Sequence, residues 1–304
     1  MYSMAPSRTT SKTLIITAIA FAIGALVAWA AGANGYSIGA VPAALIAAGA
    51  AFAVQWVAFI PSWLLRSERF YDLVGGSTYL VISLALLLGN ADRGPAAIVV
   101  AALVAVWSVR LALFLFARVR ATGGDGRFDE ITTRPLRLLQ TWTMQGLWVS
   151  VTASAAWVVI ADPSGRGVDA WLIAGAAIWL LGFGIEATAD EQKRAFRRRG
   201  GDGFITSGVW AASRHPNFFG EILVWIGVGV AAVPSLHGWG WVALVSPLFV
   251  ALLLTRVSGV PLLERRAEQR WGERADYRGY VDQTPILVPF IGRRGRWAQG
   301  GAES

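Results

Sequence analysis

The stretch Ser213-Arg214-His215-Pro216-Asn217-Phe218-Phe219-Gly220-Glu221 holds the densest chemistry in the chain. It sets an Arg-His pair and a proline directly before an apolar run. Proline suits the first turn of a helix, where its missing N–H has no partner to lose. The spacing predicts a helix that starts near Pro216. The free N–H groups of a first turn attract anions, and Arg214 and His215 stand just in front of them. Asn217 and Glu221 are four apart and share one face of that helix. A carboxylate inside an apolar helix is costly to bury and marks a candidate site. The competing reading is a polar pair that ties neighbouring helices together. Taken together, these residue types suggest a lipid-embedded enzyme with a phosphate-bearing cofactor.

A second group lies upstream. Glu186, Asp190, Lys193 and Arg197 are spaced by four, three and four, and form one stripe on a continuing helix. Arg194 adds charge to the basic end. Carboxylates of such a stripe would accept ribose or amide hydrogen bonds, and its cations would hold phosphate. A self-paired helix end that snorkels to the membrane surface is the alternative. Arg110 sits about seven residues, roughly 10 Å, from its helix end, with Trp107 and Phe114 at i−3 and i+4. That face suits either a planar ligand beside a cation or a snorkelling arginine. Gln55, Gln145 and Asp72 read as interhelical or boundary residues. Tyr277 and Tyr280, three apart, either cover a cofactor ring or anchor the membrane interface. His237 sits in a short external turn and reads as a solvated histidine.

Composition removes several classes. The chain has no Cys and only two His, which excludes disulfides, thiolate metal sites and cysteine nucleophiles. No metal is expected. There is no phosphate-binding Gly-x-x-x-x-Gly-Lys loop and no Gly-x-Gly-x-x-Gly after a strand, so a soluble nucleotide domain is not expected. The net charge is +8, but the cations lie in loops between apolar runs. They read as topology signals and lipid headgroup contacts, not as a nucleic-acid surface.

The chain is 55% hydrophobic and 15% charged. Its apolar runs are long enough to cross a bilayer as helices. Eight are expected, at 13–31, 38–60, 73–89, 95–117, 141–161, 169–189, 217–234 and 239–257. The third is short and carries Gly75 and Gly76. The first lacks a cleavage site and starts a regular series, so it reads as a membrane helix. Of 27 Lys and Arg, 24 fall on one side of this arrangement, and only Arg93 and Arg166 on the other. That asymmetry predicts an all-α polytopic membrane protein with about eight transmembrane helices and both termini cytoplasmic. A surface helix is expected from Pro261. The Arg- and Gly-rich residues 293–304 read as a disordered tail. Two short loops, Gly123-Gly124-Asp125-Gly126 and Gly200-Gly201-Asp202-Gly203, resemble each other by coincidence in a Gly-rich chain.

Residues 213–221, the Glu186-x-x-x-Asp190-x-Gln192-Lys193 stretch and the Ser258-Gly259-Val260-Pro261…Tyr277…Tyr280 segment together resemble the steroid 5-alpha-reductase superfamily. The similarity is to its bacterial uncharacterised branch and covers roughly residues 70–290. Isoprenylcysteine carboxyl methyltransferases share a similar Arg-His-Pro signature and Tyr-rich tail. The resemblance implies a membrane domain over 70–292, preceded by a transmembrane hairpin over 1–69, in the bacterial plasma membrane. It implies NADPH held on the cytosolic side by Glu186, Asp190, Asn217 and Glu221, with the basic residues after Asp190 near its phosphates. The first of these is Asn in the reductases and Glu186 here. Asp72 and Trp107 fall loosely at the positions of the substrate-polarising Glu and Tyr, and Arg110 joins them as a candidate catalytic residue. The expected activity is NADPH-dependent reduction of an activated C=C bond in a lipid, isoprenoid or steroid-like substrate. An S-adenosylmethionine-dependent methyltransferase and a non-enzymatic lipid-binding or transport protein are the alternatives. The expected partners are membrane lipids and a lipophilic small molecule.

Overall fold

Helices dominate because the apolar runs leave no other way to satisfy the backbone in lipid. In a computed structural model, which describes residues 8–122 and 130–291, the long helices are α1 Arg8–Ala31, α2 Ala43–Leu65, α3 Tyr71–Gly89 and α4 Pro95–Thr122. They continue with α5 Pro135–Thr152, α6 Ser154–Ile160, α7 Ala170–Arg198 and α8 Pro216–Ala232. Then come α9 Val245–Leu252, α10 Val260–Trp271 and α11 Ala275–Gln283. Among the described residues seven helices are long and apolar enough to cross a membrane, or eight if the bent pair α5–α6 counts as one span. Leu65, Leu88 and Leu248 are 70–72% exposed, as a surface solvated by lipid tails requires. The protein is an all-α polytopic membrane protein; among the described residues the strands form a single small hairpin, which joins Ser37–Ile38 (β1) to Val41–Pro42 (β2).

The chain divides into two compact units, 1–174 with 228–246, and 175–227 with 247–304. This division follows packing and cuts the chain differently from the segments 1–69 and 70–292. The tail 293–304 and the loop 123–126 lie outside the described residues.

In the first unit, α1 and α2 both pack on α5, and α3 packs on α4. Phe52 of α2 fills the space left by two glycines: a Cβ at Gly24 would stand 2.8 Å from its ring, and one at Gly146 2.5 Å. Small residues at such crossings let membrane helices approach closely. Gly75 and Gly76 have the same role, facing Gln145 and Ala112. The buried Gln55 donates to Thr78 Oγ1 at 2.9 Å, and Gln145 donates to Tyr71 O at 3.0 Å. Both glutamines therefore link helices.

Two apolar runs are not the continuous helices expected. The run 141–161 bends by 51° between α5 and α6. Ser246 Oγ donates to Thr152 O at 2.5 Å, and Ser154 Oγ donates to Val151 O at 2.8 Å. Hydroxyls inserted into the backbone ladder bend helices. The run 239–257 is 3-10 over Gly238–Leu244, α-helical in α9, and π-helical over Leu253–Val257. Pro247 lacks the N–H that would reach Ala243 O, and Ser154 Oγ donates to that carbonyl at 3.2 Å.

At one end of this unit Asp162 Oδ2 accepts from Ser235 Oγ at 2.6 Å, and Arg166 donates to Ser235 Oγ and Ala231 O. Burial acts to raise the Asp162 pKa. The hydrogen bonds from Ser235 and Ser164 and the charge of Arg166 outweigh it and hold the carboxyl below its usual range. His237 is exposed in the adjoining turn.

Candidate functional site

Eleven of the fourteen candidate residues fall in the second unit, on α7, the turn before α8, α8 and α11. Helix α8 begins at Pro216, where the proline signal places it. Gly182 of α7 and Gly220 of α8 meet backbone to backbone: a Cβ on Gly220 would stand 2.6 Å from Gly182 O and from Glu186 N. This contact brings the first turns of α8 to the level of Glu186. Glu186 is 2% exposed and Asp190 6%. Asn217 and Glu221, on either side of Gly220, are half-buried. Four polar side chains of the expected types thus lie along one helix crossing.

The turn before α8 is tightly held. Ser213 Oγ donates to Leu287 O at 2.7 Å and accepts from His215 N at 3.2 Å. Arg214 N donates to Pro285 O at 2.9 Å. The side chains of Arg214 and His215 converge on one carboxylate: Arg214 Nη1 donates to Glu264 Oε2 at 2.5 Å, and His215 Nε2 lies 2.6 Å from Glu264 Oε1. A carboxylate partner assigns the proton of a neutral imidazole to Nε2, leaving Nδ1 as the free ring atom. The His215 ring stacks on Phe218, 10° from parallel with centroids 5.6 Å apart. His215 Nδ1 and Arg214 Nε are both buried and have no hydrogen-bond partner among the described residues. Buried polar atoms are nearly always paired with protein or water, so both nitrogens keep hydrogen-bonding capacity to offer at the N-terminus of α8.

The rest of the unit supplies charge and aromatic surface. Lys193 lies over the Trp210 ring, 4.9 Å from its centroid, and Trp210 Nε1 donates to Ala189 O at 3.1 Å. Gln192 accepts from Val209 N at 3.0 Å, and its amide packs on Gly208, whose φ of +63° excludes a side chain there without strain. Arg194 pairs with Glu191, and both it and Arg197 are exposed. Tyr280 donates to Trp210 O at 2.7 Å, so its hydroxyl is committed to the fold. Burial raises its pKa. Tyr277 is buried beside Phe204, edge to face at 5.0 Å, with Trp271 also in contact. Both tyrosines therefore form a packed wall. Phe204 and Tyr280, with Asp202, Thr206, Arg274 and Asp276, also line an open cleft of about 390 Å³.

Asp72, Trp107 and Arg110 belong to the first unit. Asp72 lies in the first turn of α3, half-buried. Trp107 is 2% exposed, and its ring meets Tyr79 edge to face at 5.3 Å. That face of α4 is occupied by Tyr79 from α3.

Sequence reasoning missed Glu264 as a partner of the Arg-His turn. Its signal was the first carboxylate after Pro261 in a basic segment, but 49 residues separate it from His215. Tyr79 and Trp210 carried no signal beyond their apolar surroundings.

A family model described as "Protein of unknown function (DUF1295)" matches residues 58–284, about three quarters of the chain. The match includes all fourteen candidate residues and Glu264. No curated protein and no solved structure shows significant similarity to the chain. The chain belongs to the DUF1295 family, which lies in the steroid 5-alpha-reductase-like group.

Proposed function

We propose that this protein is an NADPH-dependent membrane reductase acting on an activated C=C bond of a lipophilic, isoprenoid- or steroid-like substrate. The observation that carries this reading is the pair of buried, unpartnered nitrogens, Arg214 Nε and His215 Nδ1, at the N-terminus of α8. The buried Glu186 and Asp190 and the half-buried Asn217 and Glu221 lie at the adjoining helix crossing. This set suits a dinucleotide: carboxylates and an amide for ribose and carboxamide groups, cations and a helix N-terminus for phosphate.

NADPH supplies the hydride in such chemistry. Arg214 and His215 would face its phosphates, with Lys193, Arg194 and Arg197 adding charge at the cytoplasmic end of α7. Arg is the residue that reads the 2′-phosphate and favours NADPH over NADH. Glu186, Asp190, Asn217 and Glu221 would accept or donate hydrogen bonds to the sugar and amide. In the substrate, the carbon β to a carbonyl gains hydride and the α carbon gains a proton. An acid beside the substrate would hydrogen-bond the carbonyl oxygen and supply the proton to the α carbon.

One observation favours a second reading. Arg214 is already paired with Glu264, which reduces the positive charge left for phosphate. An S-adenosylmethionine-dependent methyltransferase would need less of it. Thermal unfolding of the purified protein with NADPH, NADH and S-adenosylmethionine separates the readings. A ligand at 100 times its dissociation constant stabilises by about 2.7 kcal/mol, and NADPH is expected to give the largest rise. A rise with S-adenosylmethionine alone would transfer the assignment to the methyltransferase, and no rise with any would leave lipid binding or transport.

A further inference from the structure

Away from these residues, and wholly within the first unit, a cavity of about 280 Å³ opens where the starts of α1 and α5 meet. Two cations line it, Lys12 from the first turns of α1 and Arg137 from the first turn of α5. Among the described residues no carboxylate lines it. Both cations are exposed, and no ion pair among the described residues engages either. Thr13, Gln140 and Thr141 supply hydroxyl and amide groups between them. The apolar part of the wall is Ile16 and Ile131. Ile16 is 37% exposed, and its neighbours Ile15 and Ile19 are 58% and 52% exposed, on a helix apolar enough to span a bilayer.

This arrangement joins a polar, doubly cationic lining to an aliphatic one, whose Ile16 belongs to the exposed apolar run of α1. A soluble anion needs the first feature but not the second. A phospholipid needs both, one for its phosphate and one for the start of its acyl chains. We propose that Lys12 and Arg137 form a specific site for the phosphodiester headgroup of an anionic phospholipid, held between α1 and α5. Arg137 presents a planar fork suited to two phosphate oxygens, and Lys12 acts as a point charge. Thr13, Gln140 and Thr141 contact the glycerol or headgroup hydroxyls. The N-terminal turn of α5, which begins at Pro135, adds the favourable end of its dipole. The site shares no residue with the proposed cofactor site, so it stands whether or not NADPH binds.

The test uses the full-length protein in neutral detergent. Thermal unfolding is followed with added phosphatidylglycerol, with phosphatidylcholine and with inorganic phosphate, and retained lipid is counted by native mass spectrometry. Phosphatidylglycerol is expected to raise the midpoint and to remain bound as one molecule. Removing a cation near an anionic surface weakens attraction roughly fivefold, so Lys12→Gln/Arg137→Gln should need more than tenfold more phosphatidylglycerol for the same shift. The charge-matched control Arg265→Gln/Arg266→Gln, at two exposed positions of α10, should behave as the parent. Equal weakening in both double variants would reduce the effect to general surface charge and overturn the site. Equal stabilisation by inorganic phosphate or by phosphatidylcholine would overturn the lipid assignment. If the double variant does not fold, Lys12→Gln alone, at an exposed position, carries the same comparison.

Discussion

Glu264 is the residue on which the Arg214-His215 turn depends. Its two oxygens hold a guanidinium and an imidazole at 2.5 and 2.6 Å, and its own side chain is 25% exposed. Glu264→Gln keeps the shape but removes the charge that both partners face. Losing a hydrogen bond to a charged group costs about 1.5–3 kcal/mol. Glu264→Gln should lower the unfolding free energy by about that amount and, because the turn loses its anchor, weaken NADPH binding despite the charge freed on Arg214. Chemical denaturation and NADPH titration of the purified variant measure both, and an unchanged pair of values would show that Glu264 neither supports the fold nor positions the turn. The sequence displayed Arg214, His215, Asn217 and Glu221 because they sit within one contiguous segment. It concealed Glu264 because only the packing of α10 against that turn makes the pair. Trp107 was visible as an aromatic one turn from Arg110, but the occupant of its face, Tyr79, is on another helix.

Helix existence followed from apolar length, while helix continuity did not. The bend at Ala153 comes from the Ser246 hydroxyl, which reaches Thr152 O from 94 residues away, and no local pattern announces such a donor. The π-helical turn at Leu253–Val257 is likewise hidden in a run that reads as uniform. Gly182 and Gly220 were equally silent, although their contact sets the α7–α8 crossing. Gly220→Ala should force the helices apart, since the new Cβ would lie 2.6 Å from two backbone atoms that cannot yield without moving α7. Overpacking of this kind costs about 1–3 kcal/mol. The midpoint of thermal unfolding should fall, and Gly184→Ala, where nothing lies within 4 Å, should leave it unchanged. Equal stability of the two variants would mean that the close approach is not part of the fold.

For the molecule as a whole, the charge distribution predicts one orientation. With eight crossings, a reporter fused after Ser304 and one in the 120–135 loop should both be cytoplasmic, and one at Gly165 external. If the N-terminus is cytoplasmic, an external C-terminus would require an odd number of crossings, and with the crossing lost or gained before α8 the Arg214 turn would face the other side of the membrane. Such an inversion would remove access to cytosolic NADPH. In the proposed site the intact, membrane-inserted protein would hold NADPH through Glu221, a carboxylate one turn inside α8. Glu221→Gln conserves volume and removes only charge. Fluorescence titration of NADPH against the parent, Glu221→Gln and Glu268→Gln, all reconstituted in the same lipid, tests the claim most directly. The account predicts saturable binding to the parent, an affinity loss of about 1.5–3 kcal/mol in Glu221→Gln, and parental affinity in Glu268→Gln, at an exposed position of α10. No binding to the parent, or equal affinity in all three proteins, would contradict it.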